Sequence, residues 1–300
     1  MNLKNEIGRK SNFAINVLFI IISALCVYPI LLIVGISFTD EDSIIRYGYS
    51  VLPKVFSTYA YRYVLNNSSE ILHAYLITII TTVTGTVFGT ASVAMYAYTI
   101  SRNGFKYKKL FTFIMFFTML FSGGMVSWYI ICSKVLYIQN TIWALILPML
   151  TSAWNVMIMR TFFQTTIPEA IIESAKLDGA SELKTFRTIV VPLALPGIAT
   201  IALFNTLSYW NDWWNALMLT TKPELTNLQY YLYKVLNTMN INSSSAMASA
   251  LAQQNAADIT MPKESARMAI CMLAIGPIIL AYPFFQKYFV QGLTVGAVKG

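Results

Sequence analysis

Seven consecutive residues in the second half of the chain combine aromatic rings with amide and carboxylate groups. They are Tyr209, Trp210, Asn211, Asp212, Trp213, Trp214 and Asn215. Aromatic faces stack on the C–H faces of sugar rings, and amide and carboxylate groups bind hydroxyls, so this mixture suits a path for a sugar. A belt of Trp and Tyr at the outer membrane interface has the same composition. We expect a mixed role, in which some of these side chains face a cavity and others face the interface.

Asp212 is the charged member of this cluster. A carboxylate is costly in lipid, so we expect it to face protein or water.

The rest of the sequence offers few groups for catalysis. It has one histidine, His73, and three scattered cysteines without a C-x-x-C pair, so metal-site spacing and a Ser-His-Asp set are absent. It also has no G-x-x-x-x-G-K-[ST] segment, and therefore no P-loop for ATP. We expect no enzyme activity, no metal and no cofactor in this chain.

The most polar stretch between apolar runs is Ile167–Pro196. Thr166 and Glu169 fit a capping box, which predicts the start of a helix. Asp178 and Gly179 are expected to end it, because glycine adopts the left-handed conformation found at helix C-termini.

A second short helix is predicted after this turn. Ser181 is a suitable N-cap, and Leu183, Phe186 and Val190 give an apolar stripe at helical spacing. Two short helices with one charged and one apolar face are typical of a docking element. A helical hairpin lying in the membrane interface is the alternative.

The composition is that of an integral membrane protein. Of 300 residues, 56% are hydrophobic and 11% are charged, and the mean hydropathy is +0.58. Soluble domains carry about 25% charged residues. The net charge of +8 is then explained by Lys and Arg collected in cytosolic loops, so we expect contact with membrane lipid and no nucleic-acid partner.

Six apolar runs are long enough to cross about 30 Å of hydrocarbon. We place the spans at residues 13–38, 71–100, 110–131, 141–162, 193–220 and 268–289. The segment Ser101–Lys109 holds four Lys/Arg and no acid, which is typical of a cytosolic loop. Both termini and residues 163–192 are then cytosolic, and residues 221–267 are external. Within the third span, the sequence Ser122-Gly123-Gly124 predicts a break.

The spacing within the polar stretch resembles a known motif. Glu173-Ser174-Ala175, Gly179, Ile189 and Val191-Pro192 closely resemble the EAA loop of ABC importer permeases, whose usual form is E-A-A, three residues, G, nine residues, I-x-L-P. The chain departs from that form at Ser174 and Val191.

A wider likeness covers most of the chain. SGGM at Ser122–Met125, NTIWALILP at Asn140–Pro148 and YPFFQKYFVQG at Tyr282–Gly292 are similar to carbohydrate permeases related to the maltose system. The resemblance is closest to the branch for complex polysaccharides that is linked to lipoproteins.

The resemblance implies a type I ABC importer permease fold, an all-α integral membrane protein with one domain over residues 1–300 and coupling helices in residues 163–192. In that family the coupling helices dock in a groove of the ATPase subunit. The residues expected in this contact are Glu169, Glu173, Ala175, Asp178, Gly179, Leu183, Phe186, Arg187 and Pro192.

It also implies partners in a bacterial cytoplasmic membrane: a second homologous permease, two ATPase subunits that hold ATP and Mg, and an extracytoplasmic sugar-binding protein. The external loop 221–267 is expected to probe that binding protein, with a flexible linker as the alternative.

The expected function is therefore that of the permease subunit of a binding-protein-dependent importer. It translocates a carbohydrate, specifically an oligosaccharide, by alternating access. A permease for a non-sugar solute such as a peptide or amino acid is one alternative. A membrane anchor or sensor that binds an ATPase without a transport path is the other.

Overall fold

The computed structural model describes residues 9–66, 68–244 and 263–297. Across these residues the chain is helical, and the β contact among them is an isolated antiparallel bridge between Thr39 and Phe56. Long apolar runs favour helices because each helix satisfies its own backbone hydrogen bonds in lipid. The chain groups into two compact units, Met1–Ser68 with Leu236–Gly276 and Ser69–Val235 with Pro277–Gly300.

Within the described residues, two helices are individually long and apolar enough to cross a membrane. They are α1, Arg9–Ser37, and α4, Ser68–Ser101, which match the first two predicted spans closely. The apolar window of α1 is not buried against the rest of the chain, whereas 39% of that of α4 is buried. The surface of α1 is therefore available to lipid or to another protein.

The first unit also contains two short helices and the start of the last one. These are α2, Glu41–Tyr47, α3, Tyr59–Leu65, and α15, Glu264–Ala297, which contains the sixth predicted span. The buried carboxylate of Glu41 accepts hydrogen bonds from the Glu264 amide at 2.9 Å and the Ser265 amide at 3.0 Å. It thereby caps amides that the first turn of α15 leaves without an intrahelical partner.

The third predicted span is interrupted, as the sequence indicates. It consists of α5, Lys108–Leu120, and α6, Gly124–Ile130, followed by a π-helical turn over Ile131–Val135. Gly124 has a φ of +76°. The predicted break at Ser122-Gly123-Gly124 is confirmed.

The fourth predicted span is bent. It consists of α7, Trp143–Ile146, a 3₁₀ turn at Leu147–Met149, and α8, Ala153–Thr166, with a 49° bend between the two parts. Pro148 lies in this 3₁₀ turn, where its ring and missing N–H prevent a continuous α-helix.

The polar stretch forms a run of short helices ahead of the fifth span. These are α9, Glu169–Leu177, α10, Glu182–Thr185, a π-helical turn at Phe186–Val190, and α11, Val191–Leu193.

The fifth span is also broken. Helix α12, Leu195–Trp210, is bent by 84° from the preceding segment Glu182–Leu193, and the chain leaves the helix at Asn211 before α13, Trp214–Leu219. If each bent pair counts as one span, up to four membrane crossings are found among the described residues. The six-span count, the single domain and the orientation remain predictions.

Part of the external loop is ordered. A 3₁₀ turn at Pro223–Leu225 leads into α14, Leu228–Ser244, so a linker without structure is wrong for this part. Asn227 explains where the helix begins, because its side-chain oxygen accepts a hydrogen bond from the Tyr230 amide at 3.1 Å. Residues 245–262 lie outside the described residues.

The core of the second unit joins α4, α8 and α12 to the polar stretch. Val93, Val156, Val190 and Ile201 are among its fully buried members. A buried amide pair also links these helices, because Asn155 Nδ2 donates to Asn205 Oδ1 at 3.0 Å. Asn205 Nδ2 in turn donates to Thr90 Oγ1 at 3.1 Å.

Candidate coupling loop and aromatic cluster

The start of α9 differs from the predicted capping box. Thr166 is the last residue of α8, and Pro168 occupies the N-cap position of α9 without a side-chain hydrogen bond. Pro168 disfavours the helical conformation in Ile167, which is extended with φ −105° and ψ 109°. The Glu169 carboxylate instead accepts a hydrogen bond from Asn103 Nδ2 at 2.6 Å.

The turn at Gly179 has the geometry that the sequence predicts. Gly179 has a φ of +75°. The Ala180 amide donates to the Ala175 carbonyl at 2.9 Å and the Gly179 amide donates to the Lys176 carbonyl at 3.0 Å. These two bonds are the Schellman pattern of a helix that ends in the left-handed conformation.

The second short helix begins at the predicted cap. Ser181 Oγ accepts a hydrogen bond from the Lys184 amide at 3.3 Å. Phe186 and Val190 are buried whereas Leu183 is 63% exposed, so the predicted apolar stripe is divided between the core and the surface.

The loop is held against the bundle by one tyrosine of α4. The Tyr98 ring lies 5.1 Å from the Phe186 ring and 6.2 Å from the Phe163 ring, centroid to centroid. Its hydroxyl donates to Glu182 Oε2 at 2.9 Å. Ile172 of α9 is buried in the same cluster, so both short helices are attached to the core.

Glu182 joins the two short helices electrostatically. Lys176 Nζ lies 2.5 Å from Glu182 Oε1, and this contact, together with the Tyr98 hydroxyl, lowers the pKa of the Glu182 carboxyl. A lowered pKa contributes stability that is present above the ordinary pKa of a glutamate, about 4.3. That contribution is lost as the pH falls through the lowered value.

We therefore expect Glu182→Gln to lower the thermal unfolding temperature of the purified protein at neutral pH, and to lower it less in acid. The amide still accepts from Tyr98 but cannot pair with Lys176. Unfolding temperatures of both proteins across the acid range check this, with Glu173→Gln as an exposed control. A gap that stays constant below the ordinary glutamate pKa would contradict the ion-pair assignment.

The predicted coupling residues divide into two groups. Ala175 and Phe186 are buried and attach the loop to the bundle. The others are exposed: Glu169, Glu173, Asp178, Gly179, Leu183, Arg187 and Pro192.

Leu177 is a surface residue that sequence reasoning missed. It is 88% exposed, and with Leu183 it flanks the Gly179 turn. The signal for it was present, because a leucine directly before Asp178-Gly179 is out of phase with the buried pair Ile172 and Ala175. Each of these two leucines leaves an exposed apolar side chain on a charged loop.

The aromatic cluster lies where α12 ends. Tyr209 is 2% exposed, and its hydroxyl donates to the Ile146 carbonyl at 2.8 Å. Trp210 is also buried. These two side chains therefore pack inside the bundle, while the exposed Asn211 donates from its Nδ2 to the Leu207 carbonyl at 2.9 Å.

Asp212 and Asn215 are buried and bind each other. Asp212 Oδ1 accepts from the Asn215 amide and Oδ2 accepts from Asn215 Nδ2, both at 3.1 Å. Asn227 Nδ2 donates to the Asp212 carbonyl at 2.5 Å and so connects this turn to the start of α14. Asp212 faces protein, as the cost of a charge in lipid predicts.

Trp213 and Trp214 are the cluster members with accessible rings, 37% and 40% exposed. The Trp213 ring stacks on that of Tyr233, with centroids 4.8 Å apart and planes inclined by 24°. Tyr233 was not predicted, because it lies in a helix that the sequence presented as a loop. Together these three rings form an exposed aromatic platform, Trp213/Trp214/Tyr233.

The predicted coupling loop, residues 163–192, and the aromatic platform lie at opposite ends of α12. A helix of 16 residues is about 24 Å long. The two predicted sites are therefore distinct, and α12 connects them directly. Among the described residues, no group of three or more His, Cys, Asp or Glu is placed to hold a metal ion. His73 Nε2 lies 2.9 Å from the Glu224 carbonyl oxygen, a structural contact.

Two curated relatives are similar over nearly the whole chain. One is the polygalacturonan/rhamnogalacturonan transport system permease protein YtcP of Bacillus subtilis, 34% identical over 284 residues, which are 94% of this chain and 96% of the relative. The other is protein LplC of the same organism, 35% identical over 286 residues, 95% of this chain and 94% of the relative.

A solved structure is similar as well. It is a bacterial ABC transporter involved in the import of the acidic polysaccharide alginate, with a TM-score of 0.78 and 28% identity, covering 96% of this chain and 100% of that chain. The type I ABC importer permease fold predicted from the sequence is thus confirmed.

A family model for the inner membrane component of binding-protein-dependent transport systems matches residues 92–295, which include the coupling loop and the aromatic platform. This is a family of transport components rather than a known enzyme family. The chain belongs to the family of inner membrane components of binding-protein-dependent transport systems.

Proposed function

We propose that this chain is the permease subunit of an ABC importer that carries an oligosaccharide across the cytoplasmic membrane of a bacterium. The observation that carries the proposal is the coupling loop. Its helices are attached to the bundle through Ile172 and Phe186, while its turn presents Leu177 and Leu183 to solvent. Exposed apolar side chains on a charged, well-anchored loop suit a partner that buries them.

The partners in this proposal are a second homologous permease, two ATPase subunits that hold ATP and Mg, and an extracytoplasmic sugar-binding protein. The unburied apolar surface of α1 supports contact with lipid and with the second permease. The basic segment Ser101–Lys109 supports a cytosolic position for the coupling loop and both termini. Transport is powered by the ATPase subunits, since this sequence has no P-loop.

In the proposed mechanism, helix α12 links the coupling loop mechanically to the break in the fifth span. The coupling loop leads into the start of α12, and the break at Asn211–Trp213 lies at its other end. A displacement of the loop by the ATPase subunits would be carried along this helix as a rigid element. The hydrogen bonds among Asp212, Asn215 and Asn227 connect that far end to α14, so it moves with the external side of the bundle.

The carbohydrate class rests on the relatives and on the aromatic platform. YtcP and the alginate importer are named for polysaccharide transport. The exposed rings of Trp213, Trp214 and Tyr233 offer apolar faces on which sugar rings stack. A sugar that passes along α13 and α14 would meet this platform.

We expect Trp213→Ala combined with Tyr233→Ala to raise the KM for oligosaccharide uptake by about 30-fold, since the two ring contacts contribute about 1 kcal/mol each. The kcat and the copurification of the ATPase should not change, because the platform is remote from the coupling loop. Tyr107→Ala, an exposed tyrosine elsewhere in the chain, is the control. Unchanged uptake would favour a membrane anchor without a path.

Affinity purification from solubilised membranes with this chain as bait tests the assembly. We expect a second permease, an ATPase and a binding protein to be recovered, and binding assays on the latter with oligosaccharides and with peptides define the solute. Recovery of this chain without an ATPase would mean that the coupling loop is an interfacial hairpin.

A further inference from the structure

Two buried polar atoms without hydrogen-bond partners lie in one groove between α5 and α8. They are Oγ1 of Thr112 and Nε of Arg160. The groove is a cavity of about 590 Å³, and both residues line it. Buried donors of this kind cost free energy unless an acceptor reaches them. The groove therefore has room for a ligand and donors that such a ligand would satisfy.

The hydroxyl of Thr112 has no hydrogen-bond partner, a state it shares with Thr82 and Thr185 among the described residues. Several threonines on other helices donate their hydroxyls to the carbonyl four residues earlier, as Thr78 does to Ala74 at 2.9 Å and Thr161 does to Met157 at 3.0 Å. The same bond from Thr112 would reach the Lys108 carbonyl, but it is not formed. It is therefore an unpaired, buried donor in a residue that lines the groove.

The groove is positively charged and therefore favours an anionic ligand. Lys108, Lys109 and Arg160 line it, and no acidic residue is among its described lining residues. Lys108 Nζ donates to the Ser101 carbonyl at 3.2 Å and to Asn103 Oδ1 at 2.8 Å, which leaves one of its three N–H groups. A phosphate group matches these donors, because it has several acceptor oxygens and a negative charge.

The remainder of the groove is apolar. Phe113, Phe116 and Met157 line it beyond the basic residues. A second cavity of about 500 Å³ shares Phe116 and Met157 and continues along Trp154 and Ile158. A free phosphate would leave this apolar surface uncovered, whereas the acyl chains of a phospholipid would cover it.

We propose that the groove between α5 and α8 binds one anionic glycerophospholipid. Its phosphate accepts hydrogen bonds from Thr112, Lys109 and Arg160, and an acyl chain lies along Phe116 and Met157. Basic pockets between helices on the cytosolic side of membrane proteins bind such headgroups. The cytosolic position of this end of α5 rests on the proposed function.

The site is connected to the coupling loop by hydrogen bonds. Lys108 donates to Asn103 Oδ1, and Asn103 donates to Glu169, the first residue of α9. A bound headgroup beside Lys108 would hold this chain of contacts in place. Lipid composition is therefore expected to influence how firmly the coupling loop is seated.

Photocrosslinking of the assembled complex tests the proposal. The probe is p-benzoylphenylalanine in place of Phe113, in vesicles of equal phosphatidylglycerol and phosphatidylcholine. We expect phosphatidylglycerol adducts to exceed phosphatidylcholine adducts by about 25-fold, since Lys109 and Arg160 each contribute about a factor of five near an anionic lipid. Lys109→Gln with Arg160→Met should return the ratio to that of the bulk lipid, while Lys106→Gln, outside the groove, should not.

Thr112→Val keeps the side-chain volume and removes only the hydroxyl, so it separates binding from folding. It should lower the phosphatidylglycerol preference severalfold. A bulk lipid ratio in the parent protein, or adducts with a second protein chain, would overturn the proposal. Adduct formation is measured without a transport assay, so a failure of the lipid proposal is distinguishable from a failure of the proposed function.

Discussion

Replacing Gly179 with valine is expected to lower ATP-driven uptake at least tenfold while leaving the chain in the membrane. Gly179 has a φ of +75°, where a β-branched residue is strongly disfavoured, at a cost of about 1–2 kcal/mol. The turn would relax to another conformation and break the bonds from Ala180 to Ala175 and from Gly179 to Lys176. Leu177 and Leu183 would then no longer be presented together.

Gly179→Asn is the matched control for this substitution. Asparagine tolerates the left-handed conformation, and no atom lies within 4 Å of a Cβ at this position, so size is not the obstacle. We expect the asparagine variant to keep most uptake and the valine variant to lose at least tenfold. Uptake and ATP hydrolysis in proteoliposomes, with immunoblots of the membranes, check this. Normal uptake with valine would rule out the coupling role of the turn.

Replacing Gly85 with alanine is expected to destabilise the second unit, although alanine is the better helix former. A Cβ at Gly85 would overlap the ring of Tyr209. The ring has no room to withdraw, because it is buried and its hydroxyl is held by the Ile146 carbonyl. Overpacking of this kind costs about 1–3 kcal/mol. Since Tyr209 precedes the break in the fifth span, uptake should fall as well.

Gly276→Ala is the control for helix propensity. It lies within α15, and no atom is within 4 Å of its added Cβ. Alanine there should be neutral or stabilising by up to about 1 kcal/mol. Thermal unfolding of both variants in detergent compares them directly. Equal unfolding temperatures would show that the Tyr209 ring can repack, and that the close approach to Gly85 is not a constraint.

Features that depend on neighbouring residues were predictable from the sequence. The long apolar runs of α1 and α4, the break at Ser122–Gly124, the turn at Gly179 and the cap at Ser181 were all predicted and are present. Each arises from local physics: hydrogen bonding of an apolar backbone, the free φ of glycine, or a hydroxyl within reach of an amide three residues later. The resemblance to the family was recognised from the residue spacing within one such segment, Ile167–Pro196.

Contacts between distant residues could not be predicted in this way. Hydropathy indicated that residues 193–220 are apolar, but not that the chain leaves the helix at Asn211, where Asp212 meets Asn227. Nor did it show that Tyr233 stacks on Trp213, or that Leu183 faces solvent. These arrangements depend on which groups the folded bundle brings together, such as Tyr209 and Ile146, 63 positions apart.

The sequence by itself therefore determined the class of protein, the position of the polar loop predicted to couple to an ATPase, and the residue types at the two ends of the fifth predicted span. The tertiary structure decided which of those residues hold the fold and which remain free to bind a partner. The physical reason is that a buried polar group must find its hydrogen-bond partner wherever the fold places one. Asp212 and Asn215 satisfy each other inside the bundle, while Leu177, Leu183 and Trp213 remain exposed.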